Sequence, residues 1–284
     1  MLLTAERVFT AGNALGEGLF TLTDNEIYWF DILRGKAYHL EIDQINIEEF
    51  NLNGFICCAG KTTDGKIISA GLNGLTIVDD RFKTHKTLFP APFDTKELRF
   101  NDGKTGPDGA FWVGSMTHEG DRPVGSLFRV TDKIVSVLDE MFIPNGIGWS
   151  PDQKTMYVTD TGYKKISQWD FNAETGRMSN ERVFVDAGKL NGVPDGLAVD
   201  SEGNIWSAFW GGSCVYGFRP TGEILAEIRL DARNPTNCCF CGTDYASLFI
   251  TSARHGLSDP NPADGSLFKV DTGNKGTGPY PFIY

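Results

Sequence analysis

The sequence has 284 residues, of which 40% are hydrophobic and 22% charged, and its formal net charge is -11. Because this acidic excess leaves no basic patch to neutralise phosphates, we expect neither a nucleic-acid partner nor an anionic membrane partner. The sequence lacks a run of about 18 apolar residues and begins without a basic and apolar leader, so we expect a cytoplasmic protein that does not enter a membrane.

One local pattern recurs along the chain: an acidic residue in a turn, followed closely by a short apolar or aromatic run. The six turns follow one another at spacings of about 40–50 residues, at Asp24, Asp64, Asp108, Asp152, Glu202 and Asp244. The first run is Ile27-Tyr28-Trp29-Phe30, and a second alternating segment, Gly35 to Leu40, follows it after another turn. A strand–turn–strand unit with this period is typical of a propeller blade.

Six such units account for most of the chain, and no long amphipathic helical pattern interrupts them. The sequence therefore predicts an all-β fold, a six-bladed β-propeller of four-stranded antiparallel blades that forms a single domain over residues 1–284. A β-sandwich does not predict a regular period with the same local order of features. Arg7-Val8-Phe9 and the tail from Pro279 to Tyr284 are candidates to complete one shared blade, which would hide sheet edges. The pattern does not indicate which end supplies which strand.

The cysteines cluster in sequence rather than spreading over the chain, at Cys57, Cys58, Cys214, Cys238, Cys239 and Cys241. Neighbouring strand residues point to opposite faces of a sheet and rarely form a disulfide with each other. We expect reduced, mostly buried thiols.

A second repeated position lies seven residues before each acidic turn. The six positions are occupied by Glu17, Cys57, Asn101, Asn145, Asp195 and Asn237. Each precedes a short apolar stretch that is interpreted as the innermost strand of its blade. Equivalent positions of equivalent blades lie on one ring around the propeller axis, so these side chains should converge. Asn and Asp also favour turns by bonding local backbone, which is the alternative explanation for a single position.

Two carboxylates on so small a ring would repel each other unless a proton or a cation lay between them. The presence of both Glu17 and Asp195 on this ring therefore predicts a divalent cation at the mouth of the channel. Carboxylate and amide oxygens suit Ca²⁺, Mg²⁺ or Mn²⁺ best.

Several stretches in order along the chain resemble the regucalcin (senescence marker protein)/gluconolactonase/luciferin-regenerating-enzyme-like family. They include Leu15-Gly16-Glu17-Gly18, Arg99-Phe100-Asn101-Asp102-Gly103-Lys104, Trp112-Val113-Gly114-Ser115-Met116, Pro144-Asn145-Gly146-Ile147-Gly148-Trp149, Pro194-Asp195-Gly196-Leu197-Ala198-Val199 and Pro235-Thr236-Asn237. The family pattern usually has Pro where this chain has Leu19, and Asp where it has Gly106 before Pro107. Neither departure touches a predicted ligand.

The resemblance implies a six-bladed propeller that holds one divalent metal ion (Ca, Mg, Mn or Zn). Its ligands would be Glu17, Asn145 and Asp195, with Asp195 also the candidate general base. The substrate-binding positions that the resemblance implies are Arg99, Asn101 and Glu119. The alternative to substrate binding is an ion pair with Glu97 or Asp102 for Arg99, and the position of a solvated loop residue for Glu119. Asn237 is a candidate to bond a metal-bound water.

The function expected from this resemblance is metal-dependent hydrolysis of a small-molecule sugar (aldono-) lactone to the sugar acid. One alternative is hydrolysis of another ester or of a phosphotriester, which a more apolar pocket would favour. The other is a non-enzymatic Ca²⁺-binding or regulatory protein, for which hydroxyl-binding residues would be unnecessary.

Overall fold

The computed structural model describes residues 1–284 and contains six β-sheets, with only two single-turn 3₁₀ helices, at Ile32–Arg34 and Thr243–Tyr245. The first two strands are β1, Leu2–Thr4, and β2, Glu6–Phe9. Three sheets follow in chain order: β3 to β6, Gly16–Thr23, Glu26–Asp31, Lys36–Glu41 and Asn46–Asn51; β7 to β10, Ile56–Lys61, Ile67–Gly71, Gly74–Val78 and Thr84–Phe89; and β11 to β14, Leu98–Thr105, Phe111–Thr117, Gly125–Val130 and Ile134–Met141.

The second half of the chain repeats the arrangement. Its strands are β15 to β18, Pro144–Trp149, Thr155–Asp160, Lys165–Asn172 and Arg177–Asp186; β19 to β22, Val193–Val199, Ile205–Trp210, Cys214–Phe218 and Ile224–Arg229; and β23 to β25, Asn234–Cys241, Ser247–Ala253 and Leu267–Val270. The innermost strands β3, β7, β11, β15, β19 and β23 each contact the next, and β23 contacts β3, so the six sheets close into a ring. The predicted six-bladed propeller is confirmed.

All six acidic turn positions lie where the sequence placed them, between the innermost strand of a blade and the second strand. The apolar runs that follow form second strands whose largest side chains are fully buried, among them Trp29, Trp112 and Trp206. Each indole Nε1 donates to a side-chain oxygen, such as that of Trp206 to Asp200 Oδ2 at 3.0 Å. Replacing one of these rings by Ala would cost about 3–5 kcal/mol through the cavity left behind.

The N-terminal segment closes the ring. Strand β2 pairs antiparallel with β25 and becomes the fourth strand of the last blade, as predicted for Arg7-Val8-Phe9. Strand β1 adds a fifth strand to the fifth blade and runs parallel to β22, an addition that the repeat pattern did not predict.

The C-terminal tail does not complete a blade, and that candidate assignment was wrong. Phe282 forms a single bridge with Thr62 of the second blade, and the Ile283 N–H donates to the Gly109 carbonyl at 2.9 Å. Pro279 and Pro281 have no N–H to donate, which disfavours a continuous ladder in this segment. The tail instead crosses the end of the channel opposite the predicted ring.

No helix in the molecule is both long enough and apolar enough to cross a bilayer. All six cysteines are free; five are buried and Cys239 is half-buried.

Candidate functional site

The six ring positions coincide with an irregularity that every innermost strand shares. In each blade the pairing of the innermost strand with the second strand shifts register at this point, for example between Pro144 and Ile147 and between Pro194 and Leu197. The same shift occurs in the other four blades. Such β-bulges release residues from the ladder and redirect their side chains. Five of the six ring residues therefore lie within the shift at the entrance of the channel, and Glu17, which pairs with Phe30, lies at its edge.

The bulges also let neighbouring blades approach closely. A Cβ at Gly146 would lie 2.6 Å from the Asp195 carbonyl oxygen. Gly18 has a φ of +60° and a Cβ there would lie 2.3 Å from the Cys57 carbonyl oxygen, so only Gly is compatible. A Cβ at Gly196 would lie 2.4 Å from Asn237 Cγ, so each of the three predicted ligands is followed by a position that requires Gly.

Three carboxylates lie buried at this entrance: Glu17, Asp195 and Asp102, the residue after Asn101. Burial raises the pKa of Glu17 to about 8, and the charge of Asp102 adds to the shift. Burial, followed by the charges of Glu17 and Asp102, holds the pKa of Asp195 well above its usual range. Burial also raises the pKa of Asp102, against the opposing charge of Lys104. Because the charge of Asp102 acts on both Glu17 and Asp195, and the charge of Glu17 acts on Asp195, the three groups share one electrostatic site.

The hydrogen bonds of Asn145 fix the orientation of its amide. The Thr161 hydroxyl donates to the Pro194 carbonyl at 2.8 Å, so its oxygen accepts from Asn145 Nδ2, which lies 3.2 Å away. Asn145 Oδ1 is then left buried without a partner, as is Asp195 Oδ1. Buried oxygens without donors are rare and costly, and a cation would satisfy both.

These observations fit a divalent cation held by Glu17, Asn145 and Asp195. No group of three or more His, Cys, Asp or Glu side chains in the protein converges as metal ligands would. A metal centre at this entrance would therefore depend on the amide oxygen of Asn145 in addition to the two carboxylates. An all-oxygen set of this kind suits Ca²⁺, Mg²⁺ or Mn²⁺ better than a soft metal.

Asn237 orients Glu17 across the junction of the sixth and first blades. Its Nδ2 donates to Glu17 Oε2 at 3.2 Å, and its Oδ1 accepts from the Cys238 N–H at 2.8 Å. The Gly18 N–H donates to the same Glu17 oxygen at 3.0 Å. Because both amide atoms of Asn237 are engaged within the protein, its position supports a role in holding Glu17.

Arg99 and Asn101 form a hydrogen-bonded pair beside the carboxylates. Arg99 Nη1 donates to Asn101 Oδ1 at 2.8 Å and to the Phe100 carbonyl at 2.9 Å, while Asn101 Nδ2 donates to the Pro144 carbonyl at 3.0 Å. Arg99 forms no ion pair with Glu97 or Asp102, and Glu97 pairs with Arg122 instead. The alternative of a rim salt bridge for Arg99 is therefore wrong, and the rest of its donor fork stays free.

Cys57 occupies the ring position of the second blade, near the Arg99 guanidinium. Its Sγ donates to the Phe100 carbonyl at 3.0 Å, and Arg99 Nη1 lies 3.9 Å from the sulfur. Burial raises the pKa of Cys57 to about 11 in spite of the positive charge of Arg99. The thiol is therefore neutral and forms part of the wall of the site.

Glu119 lies on the loop after β12, is exposed, and forms no hydrogen bond or ion pair. The loop itself is tied to the segment before β11: His118 Nε2 lies 3.0 Å from the Thr95 carbonyl oxygen, and Arg122 pairs with Glu97. The assignment of Glu119 as a substrate-binding residue stays a prediction.

Sequence reasoning missed Asp102 as a member of the carboxylate group and considered it only as an ion-pair partner. The seven-residue count identified one position per blade, whereas the bulge in β11 leaves both Asn101 and Asp102 unpaired. The signal present in the sequence was the pair of adjacent polar residues, Asn101-Asp102, before Gly103.

Comparison with known proteins connects this geometry to one family. The SMP-30/Gluconolactonase/LRE-like region matches residues 15–254, which include all the ring positions. Regucalcin of Danio rerio is 30% identical over 99% of this chain and 98% of its own length. A 6-deoxy-6-sulfogluconolactonase of Pseudomonas putida is 31% identical over 93% of this chain and 92% of its own length.

A solved structure agrees with these sequence matches. The crystal structure of regucalcin from Agrobacterium tumefaciens, described as a calcium-binding protein, superimposes with a TM-score of 0.94. It covers 100% of this chain and 99% of that one at 28% identity. The protein therefore belongs to the SMP-30/Gluconolactonase/LRE-like family.

Proposed function

We propose that this protein is a divalent-metal-dependent lactonase that hydrolyses a sugar lactone to the corresponding sugar acid. The observation that carries the proposal is the entrance itself, where three buried carboxylates and an unpartnered amide oxygen lie beside the Arg99–Asn101 pair. Glu17, Asn145 and Asp195 would hold the ion. The similarity to a 6-deoxy-6-sulfogluconolactonase supports the lactonase activity, and the similarity to a calcium-binding regucalcin supports the metal.

A bound divalent cation would polarise the ester carbonyl of the lactone and make a water molecule more acidic. Asp195 would also take the proton from the attacking water as general base, since no hydrogen-bond donor of the protein occupies its buried Oδ1. The free donors of the Arg99 fork would orient hydroxyl or ring oxygens of the substrate, and Asn101 holds the guanidinium in place.

The overall step adds water across one ester bond. The water oxygen forms a bond to the carbonyl carbon, the bond from that carbon to the ring oxygen breaks, and the ring oxygen takes up a proton. The product is a hydroxy acid, which ionises at neutral pH. A general base next to the water is worth about 10²–10⁴-fold in rate for such a step.

A second candidate function is calcium binding without catalysis, which is favoured by the description of the Agrobacterium tumefaciens structure as a calcium-binding protein. The Arg99–Asn101 pair favours the enzyme, because ion binding alone does not need a guanidinium with free donors beside the carboxylates.

The test is a panel of aldono-1,4- and 1,5-lactones assayed with Ca²⁺, Mg²⁺, Mn²⁺ and Zn²⁺, before and after chelation. A simple aryl ester and a phosphotriester serve as comparison substrates. We expect lactone turnover that disappears on chelation and returns with one or more of the ions. Lactone turnover that survives complete metal removal would contradict the mechanism, and tight Ca²⁺ binding without any turnover would favour the second candidate.

A further inference from the structure

The channel contains a second compartment beyond the ring, with a lining unlike that of the entrance. All six innermost strands contribute to it, two to four residues further along than the ring position, which is roughly 7–13 Å at the rise of a β-strand. The volume is about 90 Å³, enough for several water molecules or one small ligand. No carboxylate lines it.

The lining carries two lysines that form no ion pair, although the charge of Lys104 acts on Asp102 at the entrance. Lys61 Nζ donates to the Leu22 carbonyl at 2.9 Å, and Lys104 Nζ donates to the Leu197 carbonyl at 2.8 Å. The lysines that do form ion pairs lie elsewhere, at Lys36, Lys66, Lys165 and Lys275. Each ammonium has three N–H groups, so both keep donors to spare. Both ammonium groups can therefore donate hydrogen bonds to a ligand in the compartment.

Two more side chains of the lining have polar atoms without partners. Trp149 and Thr105 are 5% and 3% exposed, and Trp149 Nε1 and Thr105 Oγ1 are buried with no hydrogen-bond partner. The indole N–H can only donate, and an ammonium can only donate. The unpaired groups of this compartment are therefore mainly donors that lack an acceptor, whereas those at the entrance are oxygens that lack a cation.

The far end of the compartment is covered by the C-terminal tail. Residues 277–280 line it, and the tail is fixed on both sides of the channel: the Gly276 N–H donates to the Tyr245 carbonyl at 2.9 Å, and the Phe282 N–H donates to the Lys61 carbonyl at 2.7 Å. Between these anchors no backbone group of residues 277–281 takes part in a hydrogen bond. The covering segment can therefore move aside to admit a ligand without breaking backbone hydrogen bonds of its own.

We propose that this compartment, defined by Lys61, Lys104, Thr105 and Trp149 beneath the tail, binds a small carboxylate anion with a short apolar body. The anion would lie between the two ammonium groups, and its apolar part would contact Leu19, Phe20 and Ala59 on the lining. A carboxylate fits better than phosphate, because a dianion would lose more hydration in a compartment where nine of the 19 lining residues are hydrophobic.

The experiment uses the full chain in Tris chloride buffer and titrates it with sodium butyrate, with n-butanol and sodium phosphate at matched ionic strength as comparison ligands. Calorimetry and the thermal midpoint are followed, since a ligand that binds only the folded state raises the midpoint in a saturable way. We expect saturable binding of butyrate alone. No saturable binding, or equal binding of butanol or phosphate, would overturn the proposal.

Lysine variants test which side chains contribute to butyrate binding. Lys61→Met and Lys104→Met should each weaken butyrate binding at least about tenfold, because each removes one of two charge-assisted donors. Lys133→Met, at an exposed lysine without an ion pair, removes the same charge from the surface and should leave binding unchanged. Equal binding by all three variants would contradict the proposal.

A wild-type measurement covers the case in which the channel variants do not fold. The anomalous signal of 2-bromobutyrate soaked into a crystal should place the bromine inside the compartment, within reach of Trp149 and beneath residues 277–280. A bromine found only at the carboxylate entrance, or water molecules alone in the compartment, would overturn the assignment.

Discussion

Buried aspartates occur in two regions of this propeller, and their surroundings differ completely. At the turns of the blades, Asp31, Asp160, Asp200 and Asp264 are almost fully buried and each collects several N–H donors. At the mouth of the channel, Asp195 is equally buried, yet its Oδ1 has no partner and its nearest charges are other carboxylates.

Asp200 illustrates the first kind. Its two oxygens accept from the N–H groups of Glu202 and Asn204, at 3.0 and 2.8 Å, and from the side chains of Asn204 and Trp206, at 2.9 and 3.0 Å. Such a carboxylate is satisfied in its charged form and holds a turn in place. The comparison teaches that burial alone does not distinguish a structural carboxylate from a functional one. The number of hydrogen-bond donors around the carboxylate does.

The largest effect is expected from a substitution at the mouth of the channel. Asp195→Asn should abolish tight metal binding and lower lactone turnover by about 10³-fold, since it removes a ligand and the proposed base together. The metal-free variant should be at least as stable as metal-free wild type, because a buried carboxyl group whose ionisation is opposed by burial and by its neighbours is replaced by a neutral amide. Metal titration, steady-state kinetics and urea unfolding in chelator test these outcomes, and wild-type turnover in the variant would refute the role of Asp195.

The matched substitution at a turn should lower stability and leave activity unchanged. Asp200→Asn places an NH₂ group against donors that the carboxylate accepted, so we expect the free energy of unfolding to fall by about 3 kcal/mol. Turnover per folded molecule and metal affinity should stay near wild type. Urea unfolding combined with kinetics at low temperature measures both. A loss of activity without a loss of stability would contradict the distinction between the two regions.

A smaller effect is expected beside the carboxylates. Arg99→Lys keeps the charge but loses the planar fork, and kcat/KM for the lactone should fall about 10–100-fold, the loss of one or two charged hydrogen bonds. Metal affinity should not change, because Arg99 is not a proposed ligand. Arg122→Lys, on the neighbouring loop, is the control and should leave kcat/KM within about twofold of wild type. A parallel fall in metal affinity in Arg99→Lys would contradict the separation of roles.

The smallest effect concerns acid stability at a turn. Burial alone would raise the pKa of Asp264, but hydrogen bonds from Arg233 and from the Asn261 N–H lower it below its usual value. The pKa in the folded state is therefore below the unfolded value of about 3.9, so the stabilisation is present above that pH and is lost as the pH falls through the folded pKa.

Urea unfolding of wild type and Asp264→Asn over a pH series measures this contribution. The difference in unfolding free energy between the two proteins should be constant above about pH 5 and shrink towards pH 2. A difference that grows on acidification would show that the pKa shift has the opposite sign.

The sequence predicted the ring because the blades repeat. One count from an acidic turn identified an equivalent position in each blade, and closure of the propeller brought residues as distant as Glu17 and Asn237 within 3.2 Å. It did not predict the shared β-bulge, because the count identified one position in each blade, whereas a bulge depends on the pairing of two strands. Asp102 was missed for the same reason.

The ends of the chain were harder to predict. The repeat contains no information about segments outside it, so β2 was one of two candidates and β1 was not foreseen. The tail was misassigned because closing the ring with both ends of the chain would hide sheet edges. Its place across the channel depends instead on contacts with Lys61 and Gly109, which are distant in sequence.

The central claim is that Glu17, Asn145 and Asp195 together hold one divalent cation at the mouth of the channel. The most direct measurement is an anomalous difference map from a crystal soaked in Mn²⁺. The account predicts one strong peak within about 2.0–2.4 Å of oxygens from all three side chains. A peak at another place, or none under conditions where lactone turnover requires the ion, would contradict it.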